Sequence, residues 1–535
     1  MKWFTTVLAL AVGSCAGVAL SAEPGVTAYR ADTAPNILII VADDLGFSDI
    51  GSYGGEIQTP NLDKLAAYGL RFTQFYNTAR CWPTRACLLT GYYAQQVRMD
   101  PPHGRLPPWT RVLPHYLKPL GYRCYHSGKW HLHGAPRPVA DAGFDRSYKL
   151  DDHDRYFHPQ KHMEDDRPLP PVPPGSGFYV TTAIADHAIR CLKEHAEKHP
   201  DKPFFQYLAF TSPHFPLHAL PEDIDRYRER YLEGWDVVRR RRWERLQELG
   251  IVRCAPAPLD PNLTPRYFKK DLPSQIGPGE VSHAVPWTEL TPEQRKFQAT
   301  KMAIHAAMVD RMDREIGRVL QQVRGMGAWE NTVIFFLSDN GADATLLVRG
   351  EGHNRAAPPG SAESYLCLGP GWASASNTPF RRHKIWVHEG GIATPLIVHW
   401  PKGIQARGEL RHDVGHVIDF VPTVLEVVGS CATDTWNGVR VPPLPGRSLV
   451  PAFSRDGAVQ RPFLFFKHEG NRAIRMGPWK LVSAQEDNDV WELFDLTTDR
   501  GERVNLAGTH SDRVKEMEAT WKRLDQEYRR QAETP

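Results

Sequence analysis

The sequence predicts an α/β protein with a large mixed, mostly parallel central sheet flanked by helices and a smaller C-terminal α+β domain. Three observations carry this. Four short runs, 36–42, 203–210, 333–338 and 394–400, are rich in apolar and β-branched residues, as strands buried on both faces are. Helical spacing fills the gaps, at 181–195 and at 303–323, where Val309, Met312, Ile316, Val319 and Val323 recur on one face. Beyond about residue 440 the texture changes to short extended runs broken at Gly477-Pro478, with a final helical stretch over 511–529.

At the N-terminus, Lys2 precedes an apolar run over 4–20, and small residues over 19–22 offer a cleavage site. Residues 1–22 therefore read as an export signal. Val12-Gly13-Ser14-Cys15 leaves a lipoprotein anchor at Cys15 as the alternative. No later stretch is long and apolar enough for a stable membrane span, so a periplasmic or secreted protein is expected. The larger domain is expected over 33–435 and the smaller, antiparallel-sheet and helix domain over 440–535. With 41% hydrophobic residues the chain can bury a sizeable core, and a net charge of +3 over 535 residues argues against nucleic acid as a partner. Of the eight Cys, seven would remain after cleavage, and their spacings define neither a disulfide pairing nor a zinc site.

The apolar runs end in polar residues. The first runs into Asp43-Asp44-Leu45-Gly46, and Thr59-Pro60 then starts a helix. A strand over 121–127 leads into Gly128-Lys129-Trp130-His131. The run over 203–210 empties into Ser212-Pro213-His214, and that over 333–338 into Asp339-Asn340-Gly341. Residues 222–253, with Arg239-Arg240-Arg241-Arg242, read as a solvated helical insertion in preference to an anion-binding patch. Asn262-Leu263-Thr264 fits a glycosylation sequon. A long loop rich in Gly, Pro, Ser and Asn runs from 341 to about 379.

Between the first two strands lies Cys81-Trp82-Pro83-Thr84-Arg85-Ala86-Cys87-Leu88-Leu89-Thr90-Gly91. Pro83 suits the first turn of a helix, which sets Cys81 at a helix N-terminus. Arg85 lies one turn on and can reach back. Taken alone, Cys81 is either a reactive nucleophile beside an anion pocket or a buried structural cysteine.

Strand ends in a parallel sheet converge on one edge. Asp43, Asp44, Asp339 and Asn340 would then make a hard, all-oxygen set suited to Ca²⁺ or Mg²⁺, against the bland reading of turn caps. Lys129 and His131, two apart, would point the same way if extended. Lys129 and Lys384 can neutralise an anion, and His131 and His214 can move protons. Trp130, His133, His153, Arg155, Arg349 and His353 lie near these ends and could shape a subsite, or simply pack.

These blocks resemble the formylglycine-dependent sulfatases, arylsulfatase type, of the alkaline-phosphatase superfamily. The Cys81 stretch fits the Cys-x-Pro-Ser/Thr-Arg signature with Leu-Leu-Thr-Gly after it. The blocks at 35–46, 128–131, 212–217, 338–341 and 384–401, with Glu492-Leu493-Phe494-Asp495-Leu496 and Asn505-Leu506-Ala507, occur in the family's order. The resemblance implies an alkaline-phosphatase-like fold and hydrolysis of sulfate esters, on a sulfated carbohydrate, another glycan or an aryl sulfate. It implies that a formylglycine-generating maturation enzyme oxidises Cys81 to 3-oxoalanine, whose hydrate attacks sulfur. One Ca²⁺ per chain would be held by Asp43, Asp44, Asp339, Asn340 and residue 81. Arg85 would stabilise the hydrate. Lys129, Lys384 and His214 would clamp the sulfate, with His214 protonating the leaving oxygen and His131 acting as the later base. Two alternatives remain: a formylglycine-dependent phosphonate or phosphodiester hydrolase, and a catalytically silent sulfated-glycan binder.

Overall fold

The computed structural model describes residues 34–268 and 271–533. The export segment over 1–22, with Cys15, lies outside the described residues. Among the described residues, sixteen strands follow in chain order. They are β1 (Asn36–Ala42), β2 (Leu70–Tyr76), β3 (Arg123–Lys129), β4 (Arg146–Leu150), β5 (His162–Glu164), β6 (Arg167–Pro168), β7 (Phe204–Ala209) and β8 (Thr332–Ser338). Then come β9 (Ala393–His399), β10 (Glu409–His416), β11 (Thr435–Trp436), β12 (Val439–Arg440), β13 (Leu464–His468), β14 (Asn471–Met476), β15 (Trp479–Ser483) and β16 (Glu492–Asp495).

The main sheet has ten strands in the order β10-β2-β9-β8-β1-β7-β3-β4-β5-β6. β1 is central and pairs in parallel with both β7 and β8, and β3 pairs in parallel with β7 and β4. Both faces of β1 are buried, which is why its sequence is almost all apolar. Leu38, Ile40 and Ala42 join the core under the helices Val180–Lys198 and Pro292–Gly325, while Ile37, Ile39 and Val41 join the core under the helix Cys81–Thr90. The helix Pro292–Gly325 begins with a capping box, in which Thr291 and Gln294 satisfy each other's backbone N–H groups. The strands β13 to β16 form a separate antiparallel sheet beside the terminal helix Ser511–Glu533.

Two sequence-based readings change and one is completed. The run over 394–400 is a buried strand as expected, and β9 is antiparallel to both β8 and β2, a direction the sequence left open. The insertion is not wholly solvated: on its helix Trp235–Glu248, Arg242 is 1% exposed and donates to Asp49 and to Glu56. The segment over 341–379 folds inward, with Leu366, Trp372 and Asn377 buried, because a helix at Pro370–Ser376 packs against the insertion.

Candidate active site

β1, β3, β7 and β8 run parallel, so their C-terminal ends open on one edge. β1 delivers Asp43 and Asp44, β3 delivers Lys129, the turn after β7 delivers His214, and β8 delivers Asp339 and Asn340. β2 runs the same way as β8, and residues 77–80 carry the chain from its end into the helix Cys81–Thr90. Because β9 is reversed, its start lies at this edge, and Lys384 arrives on the segment ahead of it. Gly128 and Gly341 permit the close approach. A Cβ at either would lie 1.9 Å from the carbonyl oxygen of Ala209 or of Gly390.

Cys81 is the first residue of its helix and is 3% exposed. Thr84 pins the turn before it, its Oγ1 accepting from the Thr78 backbone N–H at 3.0 Å and pairing with Thr78 Oγ1 at 2.8 Å. Burial pushes the Cys81 thiol up, outweighing the pull of Lys129 and Lys384. Cys81 is thus buried and also at the site, but not as the low-pKa thiolate that sulfur nucleophiles require.

The four predicted oxygen donors come together. Asp43 Oδ2 accepts from Lys129 Nζ at 2.5 Å, and Lys384 Nζ donates to Asp44 Oδ1 and Oδ2 at 2.7 and 2.8 Å. Asn340 Nδ2 donates to Asp44 Oδ1 at 2.7 Å, and the Asp44 N–H reaches Asp339 Oδ1 at 3.4 Å. Burial pushes the Asp43 carboxyl up to about 8, with Lys129 opposing, and raises Asp44 as well. Asp43 Oδ1 and Asn340 Oδ1 are buried acceptors with no hydrogen-bond partner among the described residues. Two orphaned oxygens among crowded carboxylates are what a hard cation would satisfy, so the residues fit Ca²⁺.

Arg85 is fully buried. Its Nε and Nη2 donate to Asp339 Oδ2 at 3.0 and 2.7 Å, and its Nη1 donates to the Lys129 carbonyl at 2.9 Å. It therefore braces a carboxylate and the end of β3. His214 Nδ1 is 2.5 Å from the Phe215 carbonyl, so it carries the proton and leaves Nε2 bare, 3.7 Å from Asp44 Oδ2. One ligand atom from each of Asp43, Asp44 and His214 lies within 4.8 Å of the others.

His131 does not follow Lys129 in extended geometry. Its φ is 54°, and Asp44, Ala79 and Ile385 around the site also have positive φ, at 65°, 64° and 86°. The ring of His131 lies 5.8 Å from Trp82, 5.0 Å from His133 and 5.4 Å from His153, which is 5.0 Å from His214. Burial, then the nearby lysines, hold His131, His153 and His214 well below the usual imidazole range. A cavity of about 140 Å³ opens beside Lys129, His131, His133 and His153.

The other candidates have contacts of their own. Trp130 lines that cavity and donates to the Ala135 carbonyl, Arg155 pairs with Glu351 at 2.8 Å, and His353 accepts from the Tyr365 N–H. Arg349 lies over Phe215, 5.5 Å from its ring. Sequence reasoning missed Asp343, which pairs with Lys384 at 3.1 Å, and Arg80, beside Cys81. Their only sequence signal is proximity to Asp339-Asn340-Gly341 and to Cys81.

Comparison with known proteins gives the family. Residues 35–430 match the sulfatase family, and residues 381–531 match the family described as N-sulphoglucosamine sulphohydrolase, C-terminal. The chain is 33% identical over 536 residues to an uncharacterised sulfatase of Schizosaccharomyces pombe, covering 91% of this chain and 92% of that one. It is 32% identical over 451 residues to an arylsulfatase of Klebsiella aerogenes, covering 78% and 91%. A solved structure of a protein in complex with its substrate D-glucosamine-2-N,6-O-disulfate shares the fold. Its TM-score is 0.65 at 19% identity, over 94% of this chain and 100% of that one. With a family match across most of its length and these relatives, the chain belongs to the sulfatase family of the alkaline-phosphatase superfamily and is a sulfuric ester hydrolase.

Proposed function

We propose that this enzyme hydrolyses sulfate esters of carbohydrates or aryl alcohols, through a formylglycine derived from Cys81 and one bound Ca²⁺. The observation that carries this reading is the meeting of Cys81 with two orphaned acceptors, Asp43 Oδ1 and Asn340 Oδ1, and two buried lysines at one edge. The raised thiol gives residue 81 little use as a sulfur nucleophile. Asp43, Asp44, Asp339 and Asn340 would hold the cation, with residue 81 beside them. When present, the hydrated aldehyde supplies an oxygen nucleophile, and the cation supplies charge stabilisation on the sulfate.

The chain's own residues do the rest. Lys129 and Lys384 exchange part of their pairing with Asp43 and Asp44 for the sulfate oxygens. His214 rests neutral with its proton on Nδ1. An arriving anion favours a second proton at Nε2, which His214 passes to the leaving oxygen. His131, held neutral by burial and Lys129, is the base on the residue-81 side. Arg85 positions Asp339. The catalytic part spans 33–435, residues 440–535 form the smaller domain, and the chain is exported after residue 22. Maturation enzyme and sulfated substrate are the proposed partners.

Peptide mass spectrometry of residue 81, in protein made beside a maturation enzyme, is expected to show loss of the cysteine sulfur. Calcium is expected to raise the melting temperature, and chelation to lower both it and turnover of an aryl sulfate. An intact thiol in protein that still turns over would overturn the formylglycine assignment.

A further inference from the structure

Arg80 immediately precedes Cys81, yet among the described residues no carboxylate forms an ion pair with it. Its guanidinium lies over two aromatic faces, 4.9 Å from the Trp82 ring centre and 5.5 Å from that of Tyr267. Among the described residues, its Nε and Nη1 are buried without a hydrogen-bond partner, as is Nε1 of Trp82. The carboxylates whose charges act on it are Asp343 and Glu469, and both are engaged elsewhere. Asp343 pairs with Lys384 at 3.1 Å, and Glu469 pairs with Arg266 at 3.1 Å and accepts from Tyr267 Oη at 2.7 Å. Leaving several donors unsatisfied in a protein interior is costly, and native proteins rarely do so without a ligand or solvent role.

The clamp joins the site already described. Trp82 meets His131 edge-on at 5.8 Å, and His131 lines the cavity beside Lys129. On its other side Trp82 meets His468 at 5.5 Å, whose Nδ1 is held by Asp100. Tyr267 is itself tethered to the turn after β13 through Glu469. An arginine resting against two aromatic rings has lost part of its rotamer freedom before any ligand arrives, and that favours recognition of an oxyanion.

Resting on the sulfatase reading above, we propose that Arg80, clamped by Trp82 and Tyr267, recognises a second anionic group on the substrate. That group is a carboxylate or a further sulfate next to the ester that is cleaved. Such a group is common on acidic, multiply sulfated polysaccharides and absent from simple aryl sulfates.

The test compares phenyl sulfate with the ortho, meta and para carboxyphenyl sulfates and with the corresponding benzenediol disulfates, using mature, calcium-loaded enzyme. Wild type is expected to show at least a tenfold higher kcat/KM, carried by KM, on one or more of the dianionic esters. Added salt should erode that preference. Arg80→Met is expected to reduce the preference about tenfold, Arg80→Lys to restore part of it, and Tyr267→Leu to weaken it through KM. A preference for the carboxylates alone, or for the disulfates alone, identifies which oxyanion is read. Wild type that turns over all the esters without preferring any dianion overturns the proposal whatever the variants do. So does an Arg80→Met enzyme that keeps the full preference. Failure of wild type on every ester would instead overturn the sulfatase mechanism, and the inference with it.

Discussion

Arg85 shows how one side chain organises the edge. Its fork spans Asp339 and the Lys129 carbonyl, tying the ends of β8 and β3 to the helix Cys81–Thr90. Spacing along the signature revealed an arginine able to reach residue 81. It could not reveal Asp339 as the partner, because the two are 254 residues apart in sequence. Removing the brace would free a carboxylate that the proposed cation needs in one orientation. Arg85→Met is therefore expected to weaken Ca²⁺ binding by about 10–100-fold, the usual effect of losing a group that orients a metal ligand. Calorimetric titration of the variant with calcium checks this, and an unchanged affinity would count against the role. The two-residue spacing of Lys129 and His131 was legible, but not the left-handed turn at His131 that swings its ring toward Trp82 and His153.

Among the elements, β2 is one that the sequence concealed. Leu70–Tyr76 carries Arg71 and Gln74 among its apolar residues and lies near the sheet margin, so it lacks the unbroken apolar run that marked β1 and β8. It is nevertheless the strand that brings Cys81 to the edge. The charged insertion misled in the opposite direction. Arg242 looks like its three arginine neighbours, and only the fold shows that it is buried against Asp49 and Glu56. A buried charge left without its partner is strongly destabilising. Arg242→Met is expected to lower the unfolding free energy by about 3–5 kcal/mol. Arg240→Met, on an exposed position of the same helix, should cost less than about 0.5 kcal/mol. Denaturant titration of the two variants measures the contrast.

At the scale of the whole molecule, a buried ionic cluster joins the C-terminal sheet to the catalytic edge. Lys480 on β15 lies 3.1 Å from Glu389 Oε1 and 2.8 Å from Glu502 Oε1, and Arg500 reaches Glu389 Oε2 at 3.2 Å. Glu389 precedes β9, on the same segment as Lys384. Burial pushes the Glu502 carboxyl up to about 7, with Lys480 opposing. A carboxyl raised on folding binds its proton more tightly in the native state than in the unfolded chain. Its contribution to stability is full below the ordinary glutamate range near 4.5 and is lost as pH rises through about 7. Glu502→Gln, which cannot titrate, is expected to remove that loss. Relative to wild type, its stability should improve between pH 4.5 and 7, with the difference levelling above. Melting curves across this range test the sign, and a variant whose difference from wild type is flat with pH would refute the assignment.

By itself the sequence determined the α/β class, the buried strands β1, β7 and β8, and the candidate residues that the strand ends bring to one edge. Long apolar runs and a compact signature are local patterns, and local patterns survive in one dimension. Only the tertiary structure decided that β9 runs backward, so that Lys384 enters at the start of a strand where Lys129 leaves at the end of one. It alone paired Arg85 with Asp339, buried Arg242 and set Arg80 against the rings of Trp82 and Tyr267. Strand direction, ion pairing and burial depend on which distant segments meet, and spacing along a chain does not encode that.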